Sequence, residues 1–182
     1  MKSKTLAEKY AWEFIKNQKS DSLLELVVIN PGPVFGPTLS GDLTGASMSM
    51  FNKMISGGMP MVPQAALNMS DVRDVAKIHV LALKNKSANG KRFIVTTKSP
   101  YSFQEVAKIL KTNGYSKVST KLAPNFLLKF IGNFDREAKS MRGFIGKKYN
   151  ANISSTLDTF DWQPIDFETT VLDTANSIKQ TI

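Results

Sequence analysis

Leu6, Ala7, Tyr10, Ala11, Phe14 and Ile15 recur at three- and four-residue spacing near the start of the chain. That period predicts an amphipathic helix over about 3–18, with Lys2, Glu8, Lys9, Glu13 and Lys16 mostly off its apolar stripe. The polar run NQKSDS ends it. LLELVVIN (23–30) is almost continuously apolar and β-branched toward its end, which predicts a strand covered on both faces. Helix, short loop and buried strand resemble one αβ step of a parallel sheet. GKRFIVTT (90–97) predicts a second strand.

Between and beyond these strands the pattern is mostly helical. Residues 44–57 predict a helix closed at Gly57-Gly58. Residues 71–86 predict another, capped by Ser70 or Asp71, with Val72, Val75, His79, Ala82 and Leu83 on one face. YSFQEVAKILKTNG predicts a helix ending at Gly114, and KVSTKLA a short strand. PNFLLKFIGNF predicts a helix entered through Pro124 that DREAKSMRGFIG continues. After a turn holding Trp162 and Pro164 comes a final helix. No repeat, low-complexity segment or linker divides the 182 residues.

PGPVFGP (31–37) follows the first strand directly. Three prolines and two glycines make a stiff turn at the carboxyl end of a strand, where open α/β sheets meet their ligands. On spacing alone, a turn that only redirects the chain is an equal reading. Composition narrows the chemistry. No cysteine is present, which removes disulfides and thiolate metal sites. The single histidine, His79, lies on an apolar stripe, where packing and a backbone hydrogen bond are favoured over catalysis. Asp71, Arg73 and Asp74 read first as a local ion-pair network. The net charge of +9 raises nucleic-acid binding, but the lysines are scattered and lack aromatic platforms, so a solvated basic surface is favoured. No apolar run reaches the roughly 18 residues of a membrane span, and no signal-peptide core is visible, which predicts a cytoplasmic protein.

KSKTLAEKYAWEF, VINPGPVFGP, MSDVRDVAKIHVLALKN, GKRFIVT, YSFQEVAKILK and FDWQPIDFETTVLDTANSI occur in this order across the chain. Together they resemble the C-terminal half of an extended short-chain dehydrogenase/reductase, of the NAD-dependent epimerase/dehydratase superfamily. The match is to its dihydroflavonol-reductase-like branch. The resemblance implies an α/β fold: the last αβ portion of a Rossmann-type doubly wound parallel sheet, plus a small, mainly helical substrate-binding region. On this pattern 1–37 and about 71–97 belong to the sheet, and about 38–70 and 98–182 to the substrate region. It also implies NADP as cofactor, with NAD the alternative, no metal, and hydride transfer to a small aldehyde or ketone.

Lys2, Ser3 and Lys4 match the end of the family's Tyr-x-x-x-Lys motif, whose tyrosine falls one residue before Met1. Lys4 would bind the nicotinamide ribose and lower the tyrosine's pKa, since a neighbouring cation favours phenolate. Without the resemblance, Lys4 reads as a surface lysine paired with Glu8. Pro31 and Val34 match the turn lining the nicotinamide face, and Ser47 matches a serine that touches the cofactor. Met48, Met50, Phe51, Met54, Met59 and Met61 offer the substrate pocket a soft apolar lining, although helix core is the favoured reading for them. No G-x-G-x-x-G fingerprint occurs, and the family's nucleotide half needs on the order of 150 further residues. The expectation is therefore a truncated fragment, inactive alone. Its alternative is a non-catalytic remnant that self-associates, or binds a separately encoded N-terminal half, through exposed apolar surface.

Overall fold

The computed structural model describes residues 2–19, 23–126 and 143–181. Helix α1 (Lys2–Lys16) leads to strand β1 (Val28–Pro31), β2 (Val34–Phe35) and helix α2 (Ala46–Ser56). Strands β3 (Ala66–Leu67) and β4 (Ser70–Asp71) precede helix α3 (Val72–Lys84), and β5 (Arg92–Val95) follows. The described chain closes with β6 (Tyr101–Ser102) and helices α4 (Phe103–Thr112), α5 (Ser154–Phe160) and α6 (Phe167–Thr181). The fold is α/β with parallel pairing, as expected: β1 pairs with β5 in parallel, with Asn30 opposite Ile94. A second short parallel pair joins β2 to β4, and β3 and β6 pair antiparallel.

Two apolar clusters hold these elements. Phe93 and Val95 on one face of β5 pack with Ile78 and Ala82 of α3 and with Ile153, Phe160 and Trp162. The other cluster joins α2, α4 and α6 through Phe51, Met54, Val106, Leu110, Val171 and Ile178, with Phe35 of β2 among them. Local signals set the helix ends. Ser102 and Glu105 form a reciprocal capping box at α4. Asp71 caps α3 by accepting from Arg73 N at 2.8 Å. At Gly57 the chain turns left-handed (φ 85°) and ends α2.

Several expectations change. Only the last three residues of the apolar run join a strand, Val28–Pro31, and it is half-buried rather than covered on both faces, because β5 is its only strand partner among the described residues. Leu23 and Leu24 stay 63% and 64% exposed. The α1 stripe is exposed too, with Tyr10 at 66% and Phe14 at 63%, and no α1 residue is buried. KVSTKLA contributes one bridge, Leu122 to Val62, instead of a strand. The helix expected beyond Pro124 lies, after Phe126, outside the described residues until Gly143. Helix α5 was not foreseen.

The buried face of α3 is Asp74, Ile78 and Ala82, one position off the expected stripe. His79 is consequently exposed, with Nδ1 2.7 Å from Val75 O. The expected backbone contact is present, and the expected packing is not. Asp74 is no part of an ion-pair network. It is buried and accepts from Trp162 Nε1 at 2.9 Å and Ile165 N at 2.8 Å, tying α3 to the turn before α6. Arg73 bridges Asp71 and Asp173 at 2.7 Å each, and Thr170 Oγ1 donates to Asp71 at 2.8 Å. Burial pushes the Asp71 carboxyl up, but the Arg73 and Thr170 hydrogen bonds outweigh it and hold the group below its ordinary value.

Candidate functional site

Side chains alternate across a strand, so β5 presents Phe93 and Val95 to α3 and turns Arg92, Ile94 and then Thr96 the other way. On that second face, beside Asn30 of β1, opens a cleft of about 1060 Å³. The turn Pro31–Gly32–Pro33 and the first turn of α2 (Ala46, Ser47) also line it. Its further walls are Met50, Lys53, the 58–61 link, and Phe144, Ile145 and Tyr149. The apolar share dominates, as in sites that bury small ligands.

The turn after β1 is fixed by its neighbours. Gly32 N donates to Ser70 Oγ at 2.8 Å, and Ser70 Oγ donates to Val95 O at 2.6 Å, which locks the two strand ends together. A Cβ on Gly32 would lie 2.5 Å from Asn68 O, so only glycine fits between the two prolines. Asn68, itself buried on the cleft wall, donates to Thr97 O at 2.7 Å and accepts from Ala151 N at 2.8 Å. It thereby holds the 144–151 segment against the end of β5. Beyond β2, Gly36 N donates to Thr174 Oγ1 at 2.7 Å, which pins the turn to α6.

Of the residues singled out from the sequence, Pro31 and Ser47 share the cleft wall. Val34 is half-buried in β2 opposite Ser70 and is not among the lining residues. Lys4 is exposed in the first turn of α1 and is not a lining residue either. Its expected alternative partner is engaged elsewhere: Glu8 pairs with Arg92 at 2.9 Å, and that hydrogen bond lowers the Glu8 pKa. The methionines divide. Met50, Met59 and Met61 line the cleft, Phe51 and Met54 are core, and Met48 packs against the core. Gly45, before α2, supplies no side-chain cap, and Ala46 and Ser47 of the helix's uncapped first turn line the cleft. Asn30, Asn68, Arg92 and Thr96 were missed. The period-two face of GKRFIVTT carried the signal for Arg92 and Thr96, once the apolar partners of Phe93 and Val95 are known.

A shallower groove lies along the C-terminal turn of α1, lined by Tyr10, Phe14, Gln18 and Leu24. Among the described residues, no group of three or more acidic or histidine side chains is placed to hold a metal ion. None of the described helices is long and apolar enough to cross a membrane.

No family model matches the chain. Individual proteins do. It is 38% identical over 109 residues to cinnamoyl-CoA reductase CAD2 of Medicago truncatula, covering 60% of this chain and 31% of that one. It is 28% identical over 179 residues to the NADPH-dependent methylglyoxal reductase GRE2 of Saccharomyces cerevisiae, covering 91% of this chain and 50% of the relative. These relatives are reductases, as the resemblance read from the sequence implies. The chain's fold agrees. The yeast methylglyoxal/isovaleraldehyde reductase Gre2, solved with NADPH, superposes with a TM-score of 0.67 at 23% identity, covering 97% of this chain and 53% of that one. The chain thus spans about a third to a half of the length of these relatives.

The family's cofactor can be tested against the residues present. The proline-fixed turn, the Ser47 hydroxyl and the uncapped start of α2 meet at the carboxyl end of a parallel pair, a suitable edge for a nicotinamide. No Gly-x-Gly-x-x-Gly turn in the 182 residues offers a cradle for the pyrophosphate. The residues therefore fit one end of a dinucleotide.

Proposed function

We propose that this chain forms the substrate-cleft portion of an NADPH-dependent carbonyl reductase acting on a small aldehyde or ketone. The observation that carries the reading is Pro31 and Ser47 on the wall of one largely apolar cleft, at the carboxyl end of a parallel pair, in a chain whose relatives are NADPH-dependent reductases. NADPH, when bound, supplies the hydride that reduces the carbonyl carbon. The chain's residues do the rest. The Pro31–Pro33 turn holds the nicotinamide edge and keeps water off it. Met50, Met59 and Met61 supply adaptable apolar contact for the substrate body. Lys4 serves a tyrosine that the family pattern sets just before it, by favouring the phenolate and so easing proton return to the substrate oxygen. Val34 supports the turn from β2. In this reading 1–37 and 71–97 are the sheet part and the remainder the substrate region.

NADPH absorbance with methylglyoxal tests the reading. The 182-residue chain alone is expected to leave NADPH unoxidised, and the chain mixed with the nucleotide-binding half of yeast Gre2 to oxidise it. Oxidation by the chain alone would overturn the partial-site assignment. Failure of every such mixture, with no carbonyl compound bound to the cleft, would overturn the reductase assignment.

The exposed stripe of α1, with Leu23 and Leu24 beside it, supports a second reading in which the chain associates through this surface. Light scattering on a sized sample is expected to give a mass above the monomer. A clean monomer that binds no apolar dye would dismiss it.

A further inference from the structure

We propose that the cleft carries a carboxylate subsite, formed by Asn30 and Arg92 on one face of the β1–β5 pair, so that its ligand is an amphipathic anion. The inference deepens the reductase reading and rests on it only in making that anion a carbonyl compound. In the parallel register Val28 stands opposite Arg92 and Asn30 opposite Ile94. Asn30 and Arg92 are therefore diagonal neighbours, and both line the cleft.

Asn30 Nδ2 is buried and has no hydrogen-bond partner. A donor shut away from water and left unmatched bears its full desolvation cost, and such groups in folded proteins call for an explanation. No hydrogen bond to Nδ2 has to break when the amide turns about its last torsion, which presents that donor to the cleft. Arg92 is held in place: Glu8 takes Nε at 2.9 Å and Nη2 at 3.4 Å, leaving Nη1 outside that pair. A guanidinium so fixed, beside a free amide donor, offers one hydrogen bond to each oxygen of a planar carboxylate. Glu8 offsets part of the Arg92 charge. Lys53 lines the same cleft, and no described lining residue is acidic. Met50, Met59, Met61 and Phe144 leave room for an apolar body alongside.

Calorimetric titration of the 182-residue chain with phenylbutyrate and with its neutral amide, phenylbutyramide, tests the proposal. The acid is expected to bind about tenfold tighter, a margin that one or two charge-assisted hydrogen bonds supply. Asn30→Asp should invert the preference, Arg92→Gln should abolish it, and Glu8→Gln, which keeps the guanidinium and removes its counter-charge, should preserve or raise it. Circular dichroism checks that each variant is folded. If Arg92→Gln unfolds with loss of its Glu8 tether, the Asn30→Asp and Glu8→Gln pair decides. Equal affinity for the two compounds, no binding of either, or an unchanged preference in folded Asn30→Asp protein would overturn the subsite. NADPH is absent from these titrations, so their outcome is separate from that of the reductase assay.

Discussion

Replacing Asn68 should show how much of the cleft depends on a single amide. Its side chain makes two hydrogen bonds, to Thr97 O at 2.7 Å and from Ala151 N at 2.8 Å, and the residue is 5% exposed. A hydrogen bond of this kind contributes about 0.5–1.5 kcal/mol net, so Asn68→Ala should cost about 1–3 kcal/mol. Asn68→Asp tests the direction of the amide as well. The introduced carboxyl still accepts from Ala151 N, but its other oxygen faces the Thr97 carbonyl, where only the protonated acid can donate. Its folded pKa must then rise above the unfolded value of about 3.9. A raised folded pKa means that stability is greatest below the unfolded value and is lost as pH rises through the folded one. Urea unfolding followed by circular dichroism at neutral and at mildly acidic pH reads both effects. Asn68→Asp should be the less stable variant at neutral pH and should recover relative to Asn68→Ala on acidification. A loss below about 0.5 kcal/mol in both variants, or no pH-dependent difference between them, would refute the reasoning.

Three further outcomes follow from the contacts around the cleft. Gly32→Ala should destabilise the chain by about 2 kcal/mol or more, since the new methyl meets a backbone oxygen at 2.5 Å, and urea midpoints check this. Asp74→Ala strips the acceptor from Trp162 Nε1 and Ile165 N and should cost about 2–4 kcal/mol; a Trp12→Phe background lets Trp162 emission report the same loss. Because the Asp71 pKa is lowered in the fold, its contribution is present above the ordinary carboxylate value and disappears as pH falls through the depressed one. Asp71→Asn should therefore show a flatter acid limb in stability against pH, and an unchanged limb would dismiss the Arg73 clamp as its source.

Local periodicity and punctuation were enough to find most helices. The Ser102–Glu105 pair, Asp71 and Gly57 each act on amides or carbonyls within a few residues, so their effect is written locally. The stiff PGPVFGP turn was legible for the same reason, because proline fixes φ wherever it stands. Coverage of a strand is not local. LLELVVIN looked doubly buried, yet β5 is its only strand partner among the described residues, and three of its eight residues pair. The buried face of α3 is likewise decided by where Trp162 and Phe160 arrive, nearly 90 positions from Asp74, and this turned His79 outward.

The residues of this chain by themselves determined the α/β class, the helix ends, the glycine between two prolines and the kinship with carbonyl reductases, because each rests on contacts or motifs within a short stretch. The cleft was decided only in three dimensions. Pairing β1 with β5 sets Asn30 beside Arg92, the placement of α2 brings Ser47 to the cleft that Pro31 lines, and Asn68 draws in the 144–151 segment. None of these neighbours is close in sequence, and burial in one shared core is what brings them to one wall.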